Sequence, residues 1–176
     1  MSAPGAETAS AGEAALDVRH HILSVLVENK PGVLARVSGL FARRGFNIFS
    51  LAVAPTDDPR LSRITIVVDV RSTPLEQVTK QLDKLINVVQ IDELSPDSAV
   101  ERELMIVTVI VDPASRAELL ALTEEYSGVV LDEGADRITV SLGGVPDALD
   151  AFTARMGSAV VAYQRTGRIA LPRIGR

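Results

Sequence analysis

The 176-residue chain has no cysteine and no tryptophan, two tyrosines, four phenylalanines and two adjacent histidines. The missing thiols exclude disulfides, thiolate zinc sites, iron–sulfur clusters and cysteine nucleophiles together. The shortage of aromatic rings removes the stacking platforms on which single-stranded nucleic acids are held. Basic residues are outnumbered 18 to 23, for a net charge of −5, which argues against a phosphate-backbone partner. Long apolar runs are also missing. The best, Leu104–Val111, has eight residues, and a membrane-spanning helix needs about 20. No nucleic acid, no membrane and a cytoplasmic location are the expectation. His20 and His21 fall at a strand start, point to opposite faces and do not easily share a metal. There is no Walker loop, no G-x-G-x-x-G, no G-x-S-x-G and no H-E-x-x-H.

What remains is a chain that is 47% hydrophobic and able to bury a core. Residues 1–19 are rich in Ala, Ser, Gly and Glu and read as a disordered tail, without the basic start or apolar stretch of a signal peptide. His21–Glu28 reads as a covered strand. Pro31 suits the first turn of the helix that follows, where a missing N–H costs nothing. Val33, Leu34, Val37, Leu40 and Phe41 share one face of that helix, and Gly45 ends it. Phe46–Ala54 and Leu61–Val70 make a hairpin across Pro55–Arg60. Thr73-Pro74 opens a second helix through Ile86, and Val88–Leu94 closes the series.

The order then repeats after a linker at 96–100. Glu103–Val111 is a strand, Pro113–Tyr126 a helix, Val129–Asp132 and Arg137–Leu142 strands, Pro146–Met156 a helix and Ala159–Thr166 the last strand. The fold class is α+β, two ferredoxin-like βαββαβ modules in tandem, at 20–95 and 101–176. Each folds a four-stranded antiparallel sheet with two helices on one face.

Nothing here assembles a catalytic constellation. Asp57 and Asp58 sit in turn chemistry between prolines, and Glu124-Glu125 lies on a helix exterior. The most informative segment is Asn29-Lys30-Pro31-Gly32-Val33-Leu34. A strand ends, Gly32 removes side-chain bulk, and the N–H groups of 32–34 face outward at the positive end of a helix, a receptor for a carboxylate. Asn47 opens the next strand in an otherwise apolar run. The strands at 21–28 and 46–54 run parallel, so Asn29 and Asn47 lie at opposite edges of one chain. If two chains pair their 46–54 edges antiparallel, through Phe49, Leu51, Ala52, Val53 and Ala54, Asn47 of one approaches the 29–34 loop of the other. The pocket then suits a small aliphatic amino acid.

The strings ILSVLVENKPGVLARVSGLF (22–41), RRGFNIFSLAVAPTDDPRLSRITI (43–66) and KQLDKLINVVQIDEL (80–94) resemble the ACT-domain regulatory subunits of acetolactate synthase, and the likeness runs from about 20 to 170. It implies that the first module is an ACT domain whose effector-site positions fall on Asn29, Gly32, Val33, Leu34, Asn47 and Ile48. It implies a chain that binds and activates a large catalytic subunit and confers feedback inhibition by branched-chain amino acids, valine foremost. Thiamine diphosphate, magnesium and FAD belong, on this resemblance, to the partner, with no cofactor and no metal in this chain. Two other readings stay open. One is a free-standing amino-acid sensor acting on another enzyme or on transcription. The other is a metal-assisted enzyme working through Asp57 or Asp58.

Overall fold

The computed structural model describes residues 20–69, 75–95 and 97–174. The first module runs β1 (His20–Glu28), α1 (Val33–Arg44), β2 (Ile48–Pro55), β3 (Leu61–Asp69), α2 (Leu75–Leu82) and β4 (Val88–Leu94). Its sheet has the order β2-β3-β1-β4, with every neighbour antiparallel. The alternation of β1 and β3 decides which face is covered. Leu23, Val25, Val27, Ile64, Ile66 and Val68 point to the helices and meet Val33, Val37, Leu40 and Phe41 of α1 and Leu75, Val78 and Leu82 of α2. Each fully buried Leu, Ile or Val contributes about 1.5–3 kcal/mol.

The second module runs β5 (Ala99–Ile110), α3 (Pro113–Glu125), β6 (Val129–Glu133), β7 (Arg137–Gly144), α4 (Pro146–Met156), β8 (Val160–Arg165) and β9 (Ile169–Pro172). The order β6-β7-β5-β8 repeats the first sheet. Asp112 caps α3: its Oδ1 accepts from the Ala114 and Ser115 N–H groups at 2.9 and 2.7 Å, and Ser115 Oγ accepts from the Asp112 N–H at 2.8 Å. Both modules are ferredoxin-like, as the element order predicts.

Three details differ from the sequence reading. The expected linker 96–100 is partly strand, because β5 begins at Ala99 and its first residues, Ala99–Arg102, pair with β9. β9 has no counterpart in the sequence reading: four residues ending in proline carry too little pattern of their own, and their pairing partners, Ala99–Arg102, lie 67–73 residues away at the end of that linker and just past it. The second helix ends at Leu82, four residues short of Ile86, and its expected opening at Thr73-Pro74 lies outside the described residues.

The modules share a small core of their own. Ile22, Val67 and Leu94, on the face of the first sheet that carries no helices, are buried with Ala99 of β5 and Ala170 of β9. The β5–β9 ribbon therefore lies across one end of that bare face. Among the described residues, no helix is long and apolar enough to cross a membrane.

Candidate functional site

The loop between β1 and α1 is a tight turn rather than the start of a helix. Gly32 has φ +82° and ψ −7°, the values of the third residue of a type II turn, with proline favoured in second place. The Val33 N–H accordingly donates back to the Lys30 carbonyl at 3.3 Å. This corrects two expectations. Pro31 sits in the turn, not in the first helical turn. And Val33 does not offer a free N–H; its side chain is buried in the core. The N–H groups of Gly32 and Leu34 find no acceptor among the described residues and stand at the helix N-terminus, where an anion is favoured. Leu34 is 43% exposed beside them. A Cβ on Gly32 would meet nothing within 4 Å, so the left-handed backbone, not crowding within the chain, is what requires glycine here.

Side chains fix this loop from two sides. The Asn29 Nδ2 donates to the Pro59 carbonyl at 2.9 Å, and its backbone N–H donates to the Arg60 carbonyl at 2.7 Å. From the other side, Glu28 accepts from Lys30 Nζ at 2.9 Å and from Asn87 Nδ2, and Asn87 Oδ1 accepts from Arg36. The Lys30 hydrogen bond first, and that of Asn87 next, hold the Glu28 carboxyl below its ordinary range. Glu28, Arg36 and Asn87 were not legible as parts of this loop, because Asn87 is 51 and 59 residues from its partners and only the pairing of β1 with β4 brings it there.

Asn47 lies immediately before β2, exposed, and Ile48 is the first residue of that strand, half-buried against the core. β1 and β2 both run antiparallel to β3, so they are parallel to each other. Glu28 is level with Leu61 and Ile48 with Val68. Seven residues of strand, about 23 Å at ~3.3 Å each, separate the Asn29 end from the Asn47 end within one chain.

β2 is the outer strand of its sheet. Its apolar side chains divide. Ile48 and Leu51 already pack on their own core, while Phe49 and Val53 are 53% and 44% exposed, so the edge offers less open apolar surface than its composition implies. A register shift between Ile48 and Ser50 marks a β-bulge at Phe49. Beside β2, an open groove of about 1260 Å³ runs between Ala52, Ala54 and Arg63 of the bare sheet face and Val100, Ile169 and Leu171 of the β5–β9 ribbon. It includes none of the six expected effector positions.

The Asp57-Asp58 pair occupies the turn that joins β2 to β3. The Arg60 guanidinium binds Asp58 through Nη2 at 2.7 Å and Nε at 3.0 Å, and with the Arg60 backbone N–H it draws the carboxyl down to about 2. Asp58 is a turn anchor.

Two ferredoxin-like modules in tandem, the first with a glycine turn at the N-terminus of its first helix, have the architecture of an ACT-class protein. The first module matches the family described as "AHAS small subunit-like ACT domain" over residues 23–90, and the second matches "Small subunit of acetolactate synthase" over 102–174. The acetolactate synthase isozyme 3 small subunit of Salmonella typhimurium is 46% identical, over 86% of this chain and 94% of its own. The acetolactate synthase small subunit of Mycolicibacterium smegmatis is 50% identical, over 75% of this chain and 78% of its own. The crystal structure of the Thermotoga maritima acetolactate synthase small subunit superposes with a TM-score of 0.83 at 35% identity, covering 90% of this chain and all of that one. The chain belongs to the acetolactate synthase small-subunit family. That membership gives it a regulatory role and implies a catalytic large subunit as its partner.

Proposed function

We propose that the chain binds and activates the large subunit of acetolactate synthase and makes it sensitive to branched-chain amino acids, valine foremost, held between the first modules of two copies. The observation that carries this reading is the pair of unpaired N–H groups at Gly32 and Leu34, set in a rigid turn whose geometry only glycine adopts easily. A carboxylate fits there without a counter-ion from the protein.

The second half of the pocket comes from a mate. Antiparallel pairing of two β2 strands about a point between Leu51 and Ala52 sets Ile48 of one copy opposite Pro55 of the other. Pro55 is level with Ser62 and Glu28 with Leu61, so the mate's Asn47 comes level with the 29–34 loop. The edges joined are Phe49, Leu51, Ala52, Val53 and Ala54, of which Ala52 and Ala54 leave the approach free of bulk. In this arrangement the Asn29 Oδ1 and the mate's Asn47 hold the ligand's polar groups, and Leu34 and Ile48 flank its aliphatic side chain. Val33 contributes core packing beneath the turn. Thiamine diphosphate, magnesium and FAD act on the partner subunit.

Acetolactate formation by the cognate large subunit tests the reading. Addition of this chain should raise the rate, and valine, leucine or isoleucine should lower it, valine at the lowest concentration. No change in rate on adding the chain would sink the assignment.

A further inference from the structure

The loop between β8 and β9 reaches from the second module onto three consecutive residues of β2. The Arg168 N–H donates to Ser50 Oγ at 2.8 Å, and the Arg168 guanidinium lies 5.2 Å from the centre of the Phe49 ring. Gly167, at φ +85°, is seated so closely that a Cβ would stand 2.9 Å from the Leu51 carbonyl oxygen. The same loop is fastened firmly to its own module. Glu103, 7% exposed, accepts from the Gly167 N–H at 3.1 Å and from Arg165 Nη2 at 2.5 Å, and Arg165 also binds Asp150 of α4. Arg168 itself pairs with Glu101 of β5 at 3.7 Å.

The footing on β2 is specific. It falls on the bulge at Phe49, where the ladder to β3 is interrupted and a strand bends most easily. It also begins two residues after Asn47. We infer that the Gly167–Arg168 loop is the mechanical link that carries effector occupancy from the first module to the second. This rests on the reading of Asn47 and Ile48 as effector positions. A ligand that draws Asn47 and Ile48 towards a mate's turn shifts the strand at its bulge. Phe49 and Ser50 then move Arg168, and Glu103 and Arg165 pass the movement to β5 and α4, because the two anchorages are adjacent N–H groups, that of Gly167 on Glu103 and that of Arg168 on Ser50. Coupling of about 5–150-fold is the usual range for such a device.

Arg168→Ala and, independently, Gly167→Ala test the link in the full-length chain. Valine binding is read by calorimetry, and acetolactate formation is read in the complex with the large subunit at zero and saturating valine. The expected result is valine affinity within threefold of wild type, activation at zero valine unchanged, and residual activity at saturating valine raised several-fold in both variants. Inhibition equal to wild type in both variants would overturn the link and leave the effector site standing. Valine binding lost together with inhibition would overturn it too, by making the loop part of the pocket. A wild-type chain that binds no valine would overturn the effector site and the link with it.

Discussion

The side-chain amide of Asn29 is held by the carbonyl of Pro59, 2.9 Å away in the β2–β3 turn. The turn that presents free N–H groups is thereby tied to the hairpin that carries the edge strand. One N–H of Asn29 is spent on this tether, and its Oδ1 accepts no hydrogen bond among the described residues.

Asn29→Ala removes the tether and, under the proposed function, a ligand contact. A neutral hydrogen bond is worth about 0.5–1.5 kcal/mol, so loss of the ligand contact and of the loop's preorganisation should weaken valine binding roughly tenfold. The melting temperature should change little, because the site is exposed. Calorimetric titration beside a thermal melt checks both.

At Gly32 the backbone is left-handed, a conformation that costs an ordinary L-residue about 1–2 kcal/mol. Gly32→Ala finds open space and should fold, with a modest loss of stability. Gly32→Asp sets a like charge beside the carboxylate receptor and should abolish valine inhibition while activation of the large subunit persists. An inhibition curve for Gly32→Asp that overlays wild type would remove the turn from the site.

Asp58 has its carboxyl lowered from 3.8 to about 2 by Arg60. A group depressed in the folded state adds stability above its unfolded value and loses it as pH falls through the folded one. The contribution of Asp58 is therefore present above about pH 4 and disappears between there and about pH 2. The pair is exposed, so the effect is small and screened by salt. Asp58→Asn should flatten the acid limb of a plot of melting temperature against pH, more visibly in low salt than in high.

Arg165 and Glu103 form the most enclosed ion pair described, with side chains 23% and 6% exposed. Removing one member of a buried pair strands the other, at about 3–5 kcal/mol. Arg165→Met should lower the unfolding free energy of the chain towards that range, with Arg165 still 23% exposed. The double change Arg165→Met with Glu103→Leu should recover much of the loss, and urea titrations of all three chains read the difference.

Local pattern was enough for most of the architecture. The apolar stripe 33-37-40-41 gave α1, although Leu34, expected on the same face, stands exposed, and the alternation in Leu61–Asp69 gave β3. The order of elements predicted the first sheet and the four main strands of the second, which β9 extends to five. Pro31 misled because proline suits both a first helical turn and the second place of a type II turn, and only the φ of Gly32 separates the two. The start of β5 was hidden by its charges. In Ala99-Val100-Glu101-Arg102-Glu103 the inward positions include two glutamates, and what makes Glu103 tolerable inside is Arg165, 62 residues later. At the candidate site the place of the strand-to-helix turn could be read from the sequence, and its type II geometry could not. The clamp of Glu28, Asn87 and Arg36 and the docking of Arg168 could not, since each joins residues that meet only through strand register.

The five-residue core of Ile22, Val67, Leu94, Ala99 and Ala170 bears on how the chain can be divided. A cut at residue 95 looks clean from the sequence. It would leave the first module with Ile22, Val67 and Leu94 stripped of their cover, an apolar scar at one end of its sheet. An excised first module would carry that scar into water and should aggregate unless it is rewritten in polar residues, so the second module serves the first as a cover as well as a neighbour.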